Sequence, residues 1–148
     1  MRTKLTIGTA LLAGAAVLLA QSPAWAHHAF AAEFDGNKPV KFIDAVVTKV
    51  QLINPHSWIH VDVKGADGKV ENWAIEAGSP NILMRRGITK DTVKVGQKIR
   101  VDGYQSKDGS RRANGRDLTL PDGTQLFLGG SGTGAPYEVQ RPGVDTEK

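Results

Sequence analysis

Histidines are the residues in this chain whose type and spacing best suit metal chemistry. The 148-residue sequence has four histidines and no cysteine, so thiolate metal sites and disulfides are excluded. Two histidines are adjacent and two lie four residues apart, close to Trp58. Imidazole and amine ligands without thiolates suit Cu(II), and less distinctively Zn(II) or Ni(II). The candidate metal ligands are therefore His27, His28, His56 and His60.

The first 26 residues have the pattern of a secretory signal peptide. Arg2 and Lys4 precede an apolar segment over 5–20, and the small residues of 24–26 form a cleavage site of the A-x-A kind. Cleavage there makes His27 the first residue, and its amine and ring nitrogen together suit chelation of a divalent metal at neutral pH. The apolar segment is too short for a membrane anchor, and no later segment is apolar enough to span a bilayer. The bacterial style of the signal predicts a periplasmic location.

Each histidine also has a simpler interpretation. His27 and His28 suit a frayed chain end, His56 suits a hydrogen bond to the backbone at the turn before it, and His60 suits an exposed strand position. Residues four apart in a straight strand are about 13 Å apart, too far for His56 and His60 to share one ion. The proline before His56 allows a bend that would bring the two closer. The sequence leaves both interpretations open.

The elements that must position these side chains are strands. Apolar residues alternate with polar ones around His60, so one strand face is apolar and the other is polar. The same patterns and turn signals predict strands over 40–53, 57–64, 69–77, 98–104, 111–120 and 125–128, with a bulge in the first near Val46-Val47. A helix follows the N-cap Ser79 and ends at Gly87. This order predicts an all-β chain with one short helix, arranged as a small five-stranded OB-like β-barrel.

The second and third strands can be aligned from the sequence. A three-residue loop over 66–68, with Gly68 in the left-handed conformation, sets Val61 opposite Trp73 on the apolar face. On the polar face it sets Trp58 opposite Glu76, so Trp58 is either a platform for a ligand or covered by Phe30 or Phe34. The candidate ligand-face residues are Asn54, Trp58, Asp62 and Glu76. One core is predicted to hold Ile59, Val61, Val63, Trp73, Ile75, Ile99 and Val101.

The remaining segments complete the predicted organisation. Residues 27–39 are expected to form an extended lead-in, 40–128 the OB-like barrel domain, and 129–148 a disordered tail rich in glycine, serine and proline. The glycines of 129–134 lack the lysine and the strand-to-helix context of a phosphate loop.

Charge and motifs exclude several functions. Loss of Arg2 and Lys4 leaves 17 of the 19 basic residues against 15 acidic ones, so a nucleic-acid partner is not expected. No nucleophile motif or paired carboxylates indicate an enzyme.

Several stretches together resemble a known family. The stretches are His27-His28-Ala29-Phe30, Lys38-Pro39-Val40, Asn54-Pro55-His56-Ser57-Trp58 and Ser79-Pro80-Asn81. They resemble a group of small secreted bacterial proteins classed as domain of unknown function 6152. The resemblance implies a periplasmic protein and transfers no catalytic or binding residue. We therefore expect a periplasmic OB-like binding protein, with Cu(II) as one candidate ligand. The alternative is an interaction module without metal, and a third and weaker interpretation is a hydrolytic enzyme. The expected partner is an envelope protein or a small ligand.

Overall fold

The computed structural model describes residues 29–130 and 133–140. Strands make up about half of this part, and the helices are short. The elements are α1 (Ala29–Glu33), β1 (Phe34–Gln51), β2 (Ser57–Lys64), β3 (Val70–Ala77), α2 (Pro80–Arg85), β4 (Lys98–Ser106), β5 (Arg112–Thr119), β6 (Gln125–Phe127) and α3 (Pro136–Gln140). None of the helices in the described ranges is long and apolar enough to cross a membrane.

Five of these strands close into a ring. The sheet order is β3-β2-β1-β4-β5-β6, and β3 also pairs with β5. The closing pair is parallel and joins Ala74 to Arg112, Ile75 to Ala113 and Glu76 to Asn114. The last strand, β6, pairs with β5 outside the ring. Closing the sheet on itself gives each strand of the ring a partner on both sides and encloses the apolar face.

The first strand, β1, bends so that it pairs with two different strands. Its first part pairs with β4, and its last part, from Val46 onward, pairs with β2. The pairing with β2 shifts between Val47 and Lys49, which confirms the bulge predicted from two adjacent apolar residues. A second shift lies between Phe42 and Ala45. These irregularities let one strand turn from one side of the ring to the other.

The hairpin of β2 and β3 has the predicted register. Val61 pairs with Trp73, and Trp58 pairs with Glu76. Gly68 has a φ of 80°, which is the left-handed conformation that the three-residue loop requires. The predicted caps of α2 are also present, because the Ser79 hydroxyl accepts from the Ile82 amide and Gly87 has a φ of 77°.

The interior of the ring contains the predicted core. All seven residues named from the sequence belong to one buried cluster, which confirms that prediction. Val61 and Ile75 are 0% exposed at its centre. A second apolar cluster lies outside this core and consists of Phe30, Phe34, Tyr104, Ala135 and Tyr137, with Phe127 packed against it.

The two ends of the described chain differ from the sequence prediction. The lead-in predicted to be extended contains α1, and β1 begins at Phe34 instead of residue 40. In the segment predicted to be a disordered tail, Ala135 and Tyr137 are 0% and 1% exposed. Composition averages over a segment and does not register a single aromatic anchor. Here Tyr137 enters an apolar site formed by aromatic side chains from both ends of the chain, and this anchors its segment.

Candidate functional site

Closure of the ring brings two buried polar side chains together. The pairing of β3 with β5 sets Glu76 beside Asn114, and these residues are 7% and 4% exposed. Asn114 Nδ2 donates to Glu76 Oε1 at 3.1 Å. Asn114 Oδ1 is buried and has no hydrogen-bond partner among the described residues. Because an unpaired buried acceptor costs about 1–3 kcal/mol, a hydrogen-bond donor or a cation at this atom would be stabilised.

His56 extends this pair into a line of three side chains. It lies in the connection between β1 and β2, and its Nδ1 is 3.2 Å from Glu76 Oε2. An ionised carboxylate only accepts hydrogen bonds, so this contact places the ring hydrogen on Nδ1. The lone pair of the neutral ring is then on Nε2. A histidine oriented by a carboxylate in this way is the usual arrangement of a metal ligand or a general base.

The environment of Glu76 raises the pKa of its carboxyl above the ordinary glutamate value. Burial raises the pKa of the Glu76 carboxyl, and the charge of Glu33 raises it further. The charge of His56 and hydrogen bonds from Asn114 and His56 act in the opposite direction, and burial outweighs them. A cation beside the ionised carboxylate would therefore offset the burial that raises this pKa.

A small cavity adjoins these groups. Its volume is about 20 Å³, enough for one water-sized ligand. Its wall combines apolar and polar side chains from α1, β1, the ring and the C-terminal segment: Phe30, Glu33, Phe34, His56, Glu76, Asn114 and Thr133.

The helix α1 is held over the cavity by bonds to β5, to the turn after β4 and to the C-terminal segment. Glu33 forms an ion pair with Arg112 of β5 at 2.8 Å. The Lys107 amide donates to the Glu33 carbonyl at 2.9 Å, and the Lys107 ammonium donates to the carbonyl of Ala31. The Phe30 amide donates to the Thr133 carbonyl at 3.2 Å. The start of the described chain is thereby fixed close to His56.

The sequence profile of a family of unknown function (DUF6152) matches residues 15–115, about two thirds of the chain. The chain belongs to this family. The match includes His56, Glu76 and Asn114 and ends before Thr133, so it covers the polar side chains that the ring brings together. Searches of curated proteins and of solved structures found no match for this DUF6152 protein.

Trp58 lies on the outer face of the DUF6152 ring, where the sequence placed it. The Arg112 guanidinium lies over its ring, 5.4 Å from the ring centroid. Phe30 and Phe34, the aromatic residues expected to cover it, belong instead to the second apolar cluster. The cover is therefore a cation–π contact, with Arg112 also bound to Glu33. An arginine on β5 reaches Trp58 because β5 closes the ring beside β3.

The other candidates occupy separate positions. His60 Nε2 is 3.0 Å from Gln51 Oε1, and burial and the charge of Lys49 lower the pKa of His60. Asp62 accepts a bond from Asn72 at 2.8 Å. Asn54 is exposed in the turn before His56 and does not line the cavity.

Two of the four candidate metal ligands, His56 and His60, lie among the described residues. His27 and His28 lie outside the described residues. Within residues 29–130 and 133–140, no three His, Cys, Asp or Glu side chains are close enough together to hold a metal ion.

Sequence reasoning missed several residues at the cavity. Asn114 is an ordinary polar residue in a strand, and no sequence motif distinguishes it. Its partner Glu76 lies 38 residues away, so the contact follows only from closure of the ring. Glu33 and Thr133 were assigned to the lead-in and the tail. The sequence offers one indication for this segment. The aromatic residue Phe30 lies between the two histidines and Glu33, and an aromatic side chain there indicates packing against the rest of the fold.

The raised pKa of Glu76 predicts how stability depends on pH in metal-free protein. A carboxyl whose pKa is raised by folding contributes stability below its unfolded pKa, and the contribution is lost as pH rises through the folded pKa. We expect Glu76→Gln to remove this component, so the free energy of unfolding should fall less steeply with pH above the ordinary glutamate range. Urea unfolding across this pH range measures it. Parallel pH profiles for both proteins would contradict the prediction.

Proposed function

We propose that this DUF6152 protein is a periplasmic binding protein that holds a divalent metal ion, with Cu(II) as the best-suited candidate, beside His56 and Glu76. We also propose that its ring is a small OB-like barrel. The strand order around the ring and a short helix between β3 and β4 support that description. Ser57 follows His56 in the sequence, and it is fully buried. Its hydroxyl is therefore not placed to act as a nucleophile, so binding fits this site better than catalysis.

One observation carries the proposal: His56 Nδ1 lies 3.2 Å from the buried carboxyl group of Glu76. In its ionised form that carboxylate accepts the Nδ1 hydrogen of the neutral ring, which places the lone pair on Nε2. Metal-bound histidines commonly donate their other ring hydrogen to a carboxylate, which fixes the tautomer and makes the ligand nitrogen more basic. Asn114 in turn holds the carboxylate from the opposite side. The orientation of His56 is therefore prepared before any ligand arrives.

Further nitrogen ligands must come from the start of the mature chain. Phe30 lines the cavity together with His56, and His28 precedes it by two residues. Two residues span at most about 7 Å between Cα atoms, so the chain length allows His28 to reach the cavity. If cleavage follows Ala26, the amine and ring of His27 add a chelate one residue earlier. This arrangement combines His27 and His28 with His56, which lies 28 residues after His28.

The amine ligand gives the sharpest test. Adding one alanine before His27 keeps every side chain and moves the amine away from its chelating position. We expect Cu(II) affinity to fall by about one to two powers of ten, the usual effect of losing part of a metal's ligand support. Correctly processed protein and the extended form are titrated by calorimetry or against a competing chelator. Equal affinity in both forms would exclude an amine-chelated site.

Substitutions of Glu76 and His56 test their part in the site, in the same titration. In Glu76→Gln the amide oxygen keeps the bond from Asn114 Nδ2, so the NH2 group faces Nδ1 of His56. The ring hydrogen then moves to Nε2, which removes the ligand lone pair. The substitution should therefore weaken binding as His56→Ala does. His60→Ala is the matched control, because His60 bonds to Gln51 and does not line the cavity.

The second candidate function is an interaction module that binds an envelope protein without metal. The observation that favours it is the lack of three clustered ligand side chains within the described ranges. Absence of saturable Cu(II) binding in correctly processed protein would support this function and reject the metal site.

A further inference from the structure

The segment 133–138, called here the C-terminal clasp, is held together by its own hydrogen bonds. The Glu138 carboxylate accepts from the Thr133 amide at 2.9 Å and from the Gly134 amide at 2.8 Å. The Thr133 hydroxyl is 3.2 Å from the same carboxylate and 3.4 Å from the Tyr137 hydroxyl. The clasp therefore satisfies much of its own hydrogen-bonding capacity and can keep its shape when it moves.

Aromatic packing by Tyr137 anchors the clasp to the rest of the fold, and Ala135 is buried in the same cluster. The Tyr137 ring is 6.5 Å from the Tyr104 ring and 5.3 Å from the Phe127 ring, centroid to centroid. The Tyr137 ring is tightly packed, because a Cβ at Gly129 would lie 2.7 Å from it. Across the described residues, the backbone bond from Phe30 to Thr133 is the one that joins the clasp to the body.

The clasp also borders the candidate site. Thr133 lines the cavity with His56 and Glu76, and its carbonyl holds α1 through Phe30. Phe30 packs edge-on against Tyr104, the residue that stacks on Tyr137. Release of Tyr137 would therefore remove the Thr133 contact with α1 and open one wall of the cavity, while Arg112 and Lys107 still hold α1.

We propose that the C-terminal clasp is a gate, and that solutes reach Glu76 and His56 when the Tyr137 ring leaves its contacts with the other aromatic rings. The inference rests on the proposed function for the position of the site, and not for the identity of the ligand. Segments joined by few backbone bonds open at a lower free energy than the fold as a whole. The ring, with its continuous strand pairing, stays closed while the clasp moves.

The first test measures access to Glu76 in metal-free protein. A water-soluble carbodiimide with an amine nucleophile labels carboxyls, and peptide mass spectrometry gives the labelling rate of each residue. Tyr137→Ala should raise the rate at Glu76 about tenfold, because local opening controls exposure of buried groups. Tyr137→Phe keeps the ring and should leave the rate unchanged. The exposed Asp44 is the internal reference.

The second test locks the clasp. The chain has no cysteine, so Gly36→Cys combined with Pro136→Cys introduces a unique pair. A Cβ at position 36 lies 2.9 Å from Pro136 Cγ, which brings the two positions within reach of a disulfide. The oxidised protein should label at Glu76 about tenfold more slowly than the reduced and alkylated protein, with Asp44 equal in both.

The locked protein decides the outcome. Equal Glu76 labelling with and without the disulfide would overturn the gate, and so would failure of the two cysteines to pair under oxidising conditions. A parallel rise at Glu76 and Asp44 in Tyr137→Ala would indicate general unfolding and count against a local gate. Because no metal is present, a negative Cu(II) titration leaves this result unaffected.

Discussion

Val61→Asp should prevent stable folding of the domain at 25 °C. Val61 is 0% exposed, and its neighbours across β1 and β3 are Val47 and Trp73. A carboxylate there has no partner in the apolar core, and burying it costs several kcal/mol. Natural domains have about 5–15 kcal/mol of stability in total, so this one substitution removes much or all of it.

Urea unfolding followed by tryptophan fluorescence measures the effect. Val70→Asp is the matched control, since it makes the same chemical change at a site that is 67% exposed. Its free energy of unfolding should stay within about 0.5 kcal/mol of the parent protein. A native-like unfolding midpoint for Val61→Asp would show that the strands do not enclose this residue in solution.

Gly103→Ala should be the most damaging single-methyl change in the ring. A Cβ at Gly103 would lie 2.3 Å from the Asn114 carbonyl oxygen and 3.1 Å from the Asn114 carbonyl carbon. These are backbone atoms of β5, so a change of side-chain rotamer cannot relieve the clash. The strands must separate, at a cost of about 3 kcal/mol or more. The displacement falls on Asn114, so the bond to Glu76 should weaken as well.

Gly78→Ala separates this clash from the general effect of replacing a glycine. Its Cβ would meet Ile82 Cγ2 at 3.4 Å and the Gly129 carbonyl oxygen at 3.5 Å, which are ordinary contacts. We expect a change below about 1 kcal/mol there. If urea unfolding gives the same stability for both variants, β4 and β5 are not as close at Gly103 as described.

The hairpin of β2 and β3 could be predicted because its determinants are local. Side-chain alternation has a period of two, so the apolar faces match in only one register for a given loop length. Gly68 supplied the left-handed residue that the three-residue loop requires. The pairing of Val61 with Trp73 and of Trp58 with Glu76 followed from counting.

The closing pair of β3 and β5 could not be predicted in the same way. Its register depends on how far β1 bends and on the shift between Asp102 and Gly103 in the pairing of β4 with β5. Neither quantity is set by residues near Glu76 in the sequence. As a result, Glu76 could be named as a face residue, but Asn114 and the cover of Trp58 by Arg112 could not.

The placement of the site at the closing pair has a consequence for the order of folding. The hairpin of β2 and β3 has low contact order, and its loop can close early. The Glu76–Asn114 contact spans 38 residues, and the Glu33–Arg112 ion pair spans 79. Loop-closure entropy delays such contacts until most of the chain is in place. The orientation of His56 is therefore a late product of folding, and a partly folded chain that has only the hairpin would not yet hold this side chain in place.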